Sequence, residues 1–132
     1  MSNFQLNANA VISDLGCSIK LKSPTEMLTY KMGTPGYTAP EMIKGKAYSF
    51  PADIWSLGCL LYVMLTATPP FWEQDRTKRN HRVCTEPLNF LASGYLSQLS
   101  PQARDILSQM LAKDPAQRPS IDQVLAHDWL SI

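Results

Sequence analysis

Hydrophobic and polar positions alternate in two different rhythms along this chain. From Ser100 onward the rhythm is helical: Ala103, Ile106, Leu107, Met110 and Leu111 fall on one face at 3.6-residue spacing. Ser100 is placed to cap that helix and Pro101 to occupy its first turn, where a missing N–H costs nothing. Asp114-Pro115 ends it. Ser120 with Gln123 makes a capping box for a last helix whose apolar side carries Ile121, Val124, Leu125 and Trp129. Between about Ala52 and Ala67 the chain is apolar almost all round, the pattern of a central core helix, and Thr68-Pro69-Pro70 stops it. Pro40 opens a short helix with Glu41 in its first turn. Residues 73–83 read as a polar helix. At the start the period is two: Phe4-Gln5-Leu6 and Val11-Ile12-Ser13 flank the turn-prone Asn7-Ala8-Asn9, which predicts a small β hairpin over residues 1–13. From Gly16 to Pro40 no period is sustained, and Ser23-Pro24 and Gly33-Thr34-Pro35-Gly36 punctuate the stretch. Loops of that length within a compact domain are functional or disordered.

The pattern therefore predicts a mainly α domain, and composition narrows its surroundings. With 132 residues the chain is the size of one domain, and 45% apolar against 17% charged residues is an ordinary globular balance. Twelve basic and eleven acidic side chains leave a net charge of +1, too even for a nucleic-acid backbone or an anionic membrane to be the main partner. The densest basic cluster, Arg76, Lys78, Arg79 and Arg82, sits beside Glu73 and Asp75 and reads as a solvated helix face. Cys17, Cys59 and Cys84 form no C-x-x-C pair, so neither a zinc site nor a disulfide framework fits, and a reducing, intracellular and cytoplasmic setting is expected. Cys17 reads as an accessible thiol or, the favoured reading, a small half-buried filler. No secretory signal follows Met1, and the longest apolar stretch, Ile54 to Leu65, is too short to cross a bilayer.

The punctuation residues, read in order, carry a resemblance. Asp14-Leu15-Gly16 resembles the metal-binding D-F-G triplet of eukaryotic protein kinases, with Leu in place of Phe. Gly33-Thr34-Pro35-Gly36-Tyr37-Thr38-Ala39-Pro40-Glu41 is similar to the end of the kinase activation segment, including its A-P-E triplet. Asp53-Ile54-Trp55-Ser56-Leu57-Gly58 resembles the start of the central helix of the C-terminal lobe, and Pro69-Pro70-Phe71 its exit. Leu111 to Pro115, followed by Arg118-Pro119-Ser120, resembles the loop that carries the family's arginine. His127-Asp128-Trp129-Leu130 resembles the closing motif. The wording of residues 33–37 points to the Ser/Thr branch, closest to the calmodulin-dependent or polo-like kinases. The expected architecture is a kinase-like C-terminal lobe with a short β hairpin and no N-terminal lobe: residues 1–13 hairpin, 14–41 activation segment, 42–132 helical subdomain.

That resemblance implies roles for particular residues. Asp14 would hold Mg²⁺, a hard cation that favours carboxylate oxygen, and Asn3 would serve a second metal. Gly33, Thr34, Pro35 and Tyr37 would form the platform that receives the residue after the phosphorylated one. Thr25, Thr29 and Tyr30 are candidates for activating phosphorylation. Glu41 and Arg118 would form a buried ion pair, and Asp53 would anchor the catalytic-loop backbone or meet a partner chain. The Gly-rich loop, the V-A-I-K-type lysine and the H-R-D aspartate do not occur in these residues. No catalytic residue can be assigned here. ATP and Mg²⁺ are implied by the family, but the isolated chain is not expected to bind them or to phosphorylate protein. Two functions follow as expectations. The chain is part of a protein Ser/Thr kinase that transfers the ATP γ-phosphate when complete, or it is a degenerate, pseudokinase-like lobe serving as a scaffold whose open face a protein partner covers.

Overall fold

Pro40 and Pro51 each stand at the first position of a helix, and this sets the spacing of the first half of the fold. In a computed structural model that describes residues 11–90 and 98–130, α1 spans Pro40–Ile43 and α2 spans Pro51–Thr66. They are followed by α3 (Arg76–Thr85), α4 (Pro101–Met110) and α5 (Ile121–Leu125). Short 3-10 turns occupy Leu15–Cys17 and Pro115–Gln117. Of the expected hairpin, residues 1–10 lie outside the described residues and residues 11–13 carry no strand. The β structure among the described residues is an isolated antiparallel bridge. Leu28 and Tyr48 exchange N–H···O bonds of 2.8 and 2.9 Å, tying the long loop to the entry of α2.

The caps explain the helix ends. Ser100 Oγ accepts from Ala103 N at 3.2 Å. At α5 both halves of the capping box are made: Gln123 N donates to Ser120 Oγ at 3.2 Å and Ser120 N to Gln123 Oε1 at 2.8 Å. The α3 helix starts three residues later than the pattern suggests, because Asp75 is its cap and Asp75 Oδ1 takes the Lys78 N–H at 2.8 Å. Its basic residues are not simply solvated. Arg82 donates to Trp72 O (2.8 Å) and pairs with Glu73 (3.1 Å) and Glu86 (2.8 Å). Arg79 lies over the Trp72 ring and donates to Glu73 O.

The core forms where α2 crosses α4. Trp55, Cys59, Leu107 and Leu111 pack in one cluster with Phe71 and Val83, and Ile54, Ile106, Met110 and Val124 form a second beside it. Gly58 permits the crossing: a Cβ there would stand 2.9 Å from Met110 Cβ. Phe71, buried at a positive φ of 57°, stacks on Trp55 with centroids 6.0 Å apart. A left-handed aromatic residue is strained and persists where its surroundings over-determine it. Lys113 closes this stack, with Nζ 3.5 Å from the Phe71 centroid and donating to Val83 O at 2.8 Å. Burial holds its amine down at about 8 although Cys84, Cys59 and Glu86 pull the other way.

Three expectations about burial need correcting. The α2 helix is not covered all round: Leu57, Leu60 and Met64 are exposed, Met64 by 74%. On α5, Ile121 and Leu125 also face solvent, and Val124 is the buried member of that set, with Trp129 half-buried. A five-residue helix turns too little for periodicity to single out its inner face. Cys17 is exposed rather than half-buried.

Candidate functional site

The segment from Gly33 to Thr38 must turn back on itself to reach α1, and its sequence supplies the means. Gly33 (φ 116°) and Gly36 (φ 97°) take backbone angles that side chains with a Cβ rarely adopt. Thr34 O then accepts from Tyr37 N at 3.1 Å and from Thr38 Oγ1 at 3.0 Å, closing the turn. From the other side, Ser56 Oγ lies 3.0 Å from Tyr37 O and 3.1 Å from Ala52 O, so one hydroxyl fastens the loop to the first turns of α2.

What fixes this loop to the rest of the domain is Arg118. Its Nη1 donates to Glu41 Oε1 and its Nη2 to Glu41 Oε2, both at 2.7 Å. The remaining donors reach Pro51 O (Nη1, 2.8 Å), Lys113 O (Nη2, 3.3 Å) and Ala112 O (Nε, 2.9 Å). All five guanidinium N–H groups therefore have acceptors, and the plane also lies over the Trp55 ring at 5.1 Å. The two side chains are 0% and 5% exposed. In so dry a setting a bidentate pair is strong only because every donor is satisfied. One residue thus joins α1, the start of α2 and the loop after α4.

The anchored loop forms a wall between two cavities. The first, about 340 Å³, is lined by Thr34, Tyr37, Ser49, Asp53 and Ser56 together with Phe50 and Tyr48. Asp53 sits in the first turn of α2, and its carboxyl has no hydrogen-bond or ion-pair partner among the described residues. Asp53 is exposed, and partial loss of water against the cavity wall raises its pKa from the ordinary value. Ser49 Oγ, on the same wall, is buried without a hydrogen-bond partner. The second cavity, about 330 Å³, lies on the far side, between Lys31, Pro35, Gly36 and Thr38 and the first turns of α3 at Arg76 and Asn80.

The other residues singled out by sequence are scattered. Asp14 is exposed and adopts a left-handed conformation (φ 60°, ψ 75°), its Oδ1 accepting from Gly16 N at 3.2 Å. Asn3 lies outside the described residues. Thr25, Thr29 and Tyr30 are all exposed on the loop, Thr25 beside Ser23 Oγ at 3.1 Å. Asp14 lines neither cavity, and no group of three or more His, Cys, Asp or Glu among the described residues could hold a metal ion. One carboxylate supplies a hard-oxygen donor but not a metal site, since Mg²⁺ needs further oxygens from a nucleotide or water. Sequence reasoning missed Lys113 and Ser56. Nothing in their local pattern marks them, because their partners come from other elements.

The comparisons with known proteins agree with this geometry. The family described as protein kinase domain matches residues 1–130, and the chain belongs to that family. It is 37% identical over 134 aligned residues to the mouse (Mus musculus) protein named inactive serine/threonine-protein kinase PLK5, covering 98% of this chain and 21% of that protein. It is 30% identical to the calcium/calmodulin-dependent protein kinase type II subunit delta of Oryctolagus cuniculus (91% of this chain, 22% of that protein). It is 35% identical to the serine/threonine-protein kinase PLK4 of Drosophila virilis (98% of this chain, 16% of that protein). The chain thus spans about a fifth or less of the length of these relatives. It is part of a serine/threonine-kinase-type domain, and its mainly helical structure is that of a C-terminal lobe. Among the described residues no helix is long and apolar enough to cross a membrane.

Proposed function

We propose that these residues form the substrate-facing half of a protein Ser/Thr kinase active site, and that transfer of a γ-phosphate requires residues this sequence does not contain. The observation that carries the reading is the Gly33–Thr38 loop, held by Arg118 through Glu41 and by Ser56 through Tyr37 O. Such a loop is a rigid shelf on which a peptide can rest, and positioning is most of what phosphoryl transfer asks of a protein. Thr34 and Asp53 both face the first cavity, where a catalytic-loop backbone would meet an unpaired carboxylate. Asp14 would donate one carboxylate to a Mg²⁺–ATP complex. The metal, when bound with the nucleotide, neutralises phosphate charge.

The test is phosphoryl transfer by the endogenous protein, isolated through this segment and sized by intact mass. A mass well above 14.8 kDa, with Ser/Thr transfer lost in Asp14→Asn, is the expected result. The 132 residues alone should not bind Mg²⁺–ATP more tightly than about 100 μM, roughly 5.5 kcal/mol. Tighter binding would overturn the requirement for further residues.

One observation favours a second reading, a non-catalytic scaffold. Leu57, Leu60 and Met64 recur at helical spacing on the open side of α2, 38%, 48% and 74% exposed. An apolar stripe of that kind fits a protein partner. An endogenous mass near 14.8 kDa, with a stable partner and no transfer, would favour it.

A further inference from the structure

The second cavity has a chemistry of its own. Its floor is apolar, made by Met32, Met42 and Ile43, and its rim is polar. Lys31 enters from the activation segment and Arg76 from the first turn of α3, and both are exposed. No aspartate or glutamate lines the cavity, and neither cation has an ion-pair or hydrogen-bonded partner among the described residues. Lys44 and Lys46 follow α1 on the same side: the Lys31 stem runs along the turn between them, its Cε 4.0 Å from where a Gly45 Cβ would stand.

Of the nearby acidic residues, Glu73 pairs with Arg82 and Glu41 with Arg118. Asp75 keeps its charge, but it caps α3 through the Lys78 N–H and does not line the cavity. Two free cations on facing walls of one groove, with no carboxylate between them, favour an anionic side chain. The apolar floor would accept the methylenes of a glutamate.

We infer that this groove selects an acidic side chain, a carboxylate or a phosphorylated residue, immediately after the acceptor serine or threonine of a peptide resting on the Gly33–Thr38 shelf. The inference rests on the reading of that shelf as the substrate platform and adds a specificity to it. Lys31 and Arg76 are then the specificity-determining pair. Pro35 and Thr38, which separate the groove from the first cavity, set the distance between the acceptor and the acidic residue.

The experiment is fluorescence anisotropy with the 132-residue chain and a set of labelled peptides that differ at one position. Serine is followed by Glu, phosphoserine, Leu or Lys, and a fifth peptide moves the Glu five residues away. The expected result is that the Glu and phosphoserine peptides bind about tenfold more tightly than the Leu peptide, about 1.4 kcal/mol. The displaced Glu should bind no better than Leu. The double variant Lys31→Glu with Arg76→Glu should reverse the order in favour of Lys. A stronger phosphoserine than Glu response would identify phosphate as the preferred source of the charge. Equal or tighter binding of the Leu peptide overturns the inference, as does equal binding of the displaced Glu, which would mean diffuse charge attraction. If the Leu peptide binds as tightly as the Glu peptide and Thr34→Val abolishes that binding, the platform stands while the acidic preference falls. If no peptide binds, both fall together.

Discussion

Replacing Arg118 by Ala removes five hydrogen bonds and one half of a buried ion pair in a single step. The magnitude follows from the geometry. Glu41 would keep its charge at 5% exposure with no cation to meet it, and breaking such a pair costs about 3–5 kcal/mol. The Pro51, Ala112 and Lys113 carbonyls would lose their donors as well. For a chain of this size each kcal/mol moves the melting temperature by roughly 3–6 °C, so a fall of about 9–30 °C is expected in a calorimetric or circular-dichroism melt. Arg118→Lys should recover only a small part, because an ammonium cannot form the bidentate fork. The decisive variant is the double replacement Glu41→Met with Arg118→Met. If the pair alone matters, apolar residues of similar volume should restore stability, as buried ion pairs often allow. If Arg118 is a hub for backbone carbonyls, the double variant should stay destabilised, since each buried orphan carbonyl costs about 1–3 kcal/mol. A shift under about 2 °C in Arg118→Ala, or full recovery in the double variant, would refute the account.

Three further outcomes are expected. Gly58→Ala should lower stability by about 1–2 kcal/mol, since the new methyl meets Met110 Cβ at 2.9 Å and Leu111 at 3.1 Å, outweighing the helix-propensity gain; a rise in melting temperature would contradict it. Ser120→Ala should cost about 1 kcal/mol by opening the α5 capping box, and an unchanged melt would show that the cap contributes nothing. Lys113 predicts a pH dependence. Its folded pKa of about 8 lies below its ordinary 10.5, so the unfolded chain binds more protons in that window and stability rises as the pH climbs through it. Cys59, pushed from 9.0 up to about 12 by burial, acts in the opposite sense above pH 9. Melting temperature should therefore rise between about pH 8 and 9 and be flat there in Lys113→Met; the same slope in both proteins would rule out Lys113 as its source.

Local chemistry was readable from the sequence wherever the partner lies within a few residues. Ser100 and Pro101, the Ser120–Gln123 box and Pro40 all signal their elements within one turn, and those helices stand where the signals put them. The Glu41–Arg118 pair spans 77 positions and has no local signature; it became visible only through a resemblance that preserves both residues in order. Lys113 over Phe71 and Ser56 beneath Tyr37 O had neither kind of signal.

The misreading of α2 has a different cause. Periodicity reports how apolar each face of a helix is, and α2 is apolar enough on every side to suit complete burial. Burial, however, depends on what other elements cover. The α4 helix, Phe71 and Val83 cover the side bearing Trp55 and Cys59, while the side bearing Leu57, Leu60 and Met64 meets solvent. The two faces therefore differ in consequence although they look alike in composition. A polar substitution at Trp55 would empty the core, whereas one at Met64 should leave the fold intact and disturb only what binds that side. The same distinction separates the two cavities. Asp53 lines the first cavity without a hydrogen-bond or ion-pair partner among the described residues, and Lys31 and Arg76 line the second in the same condition. In both, the charge is unpaired among the described residues, which is what the proposed function and the proposed acidic preference put to the test.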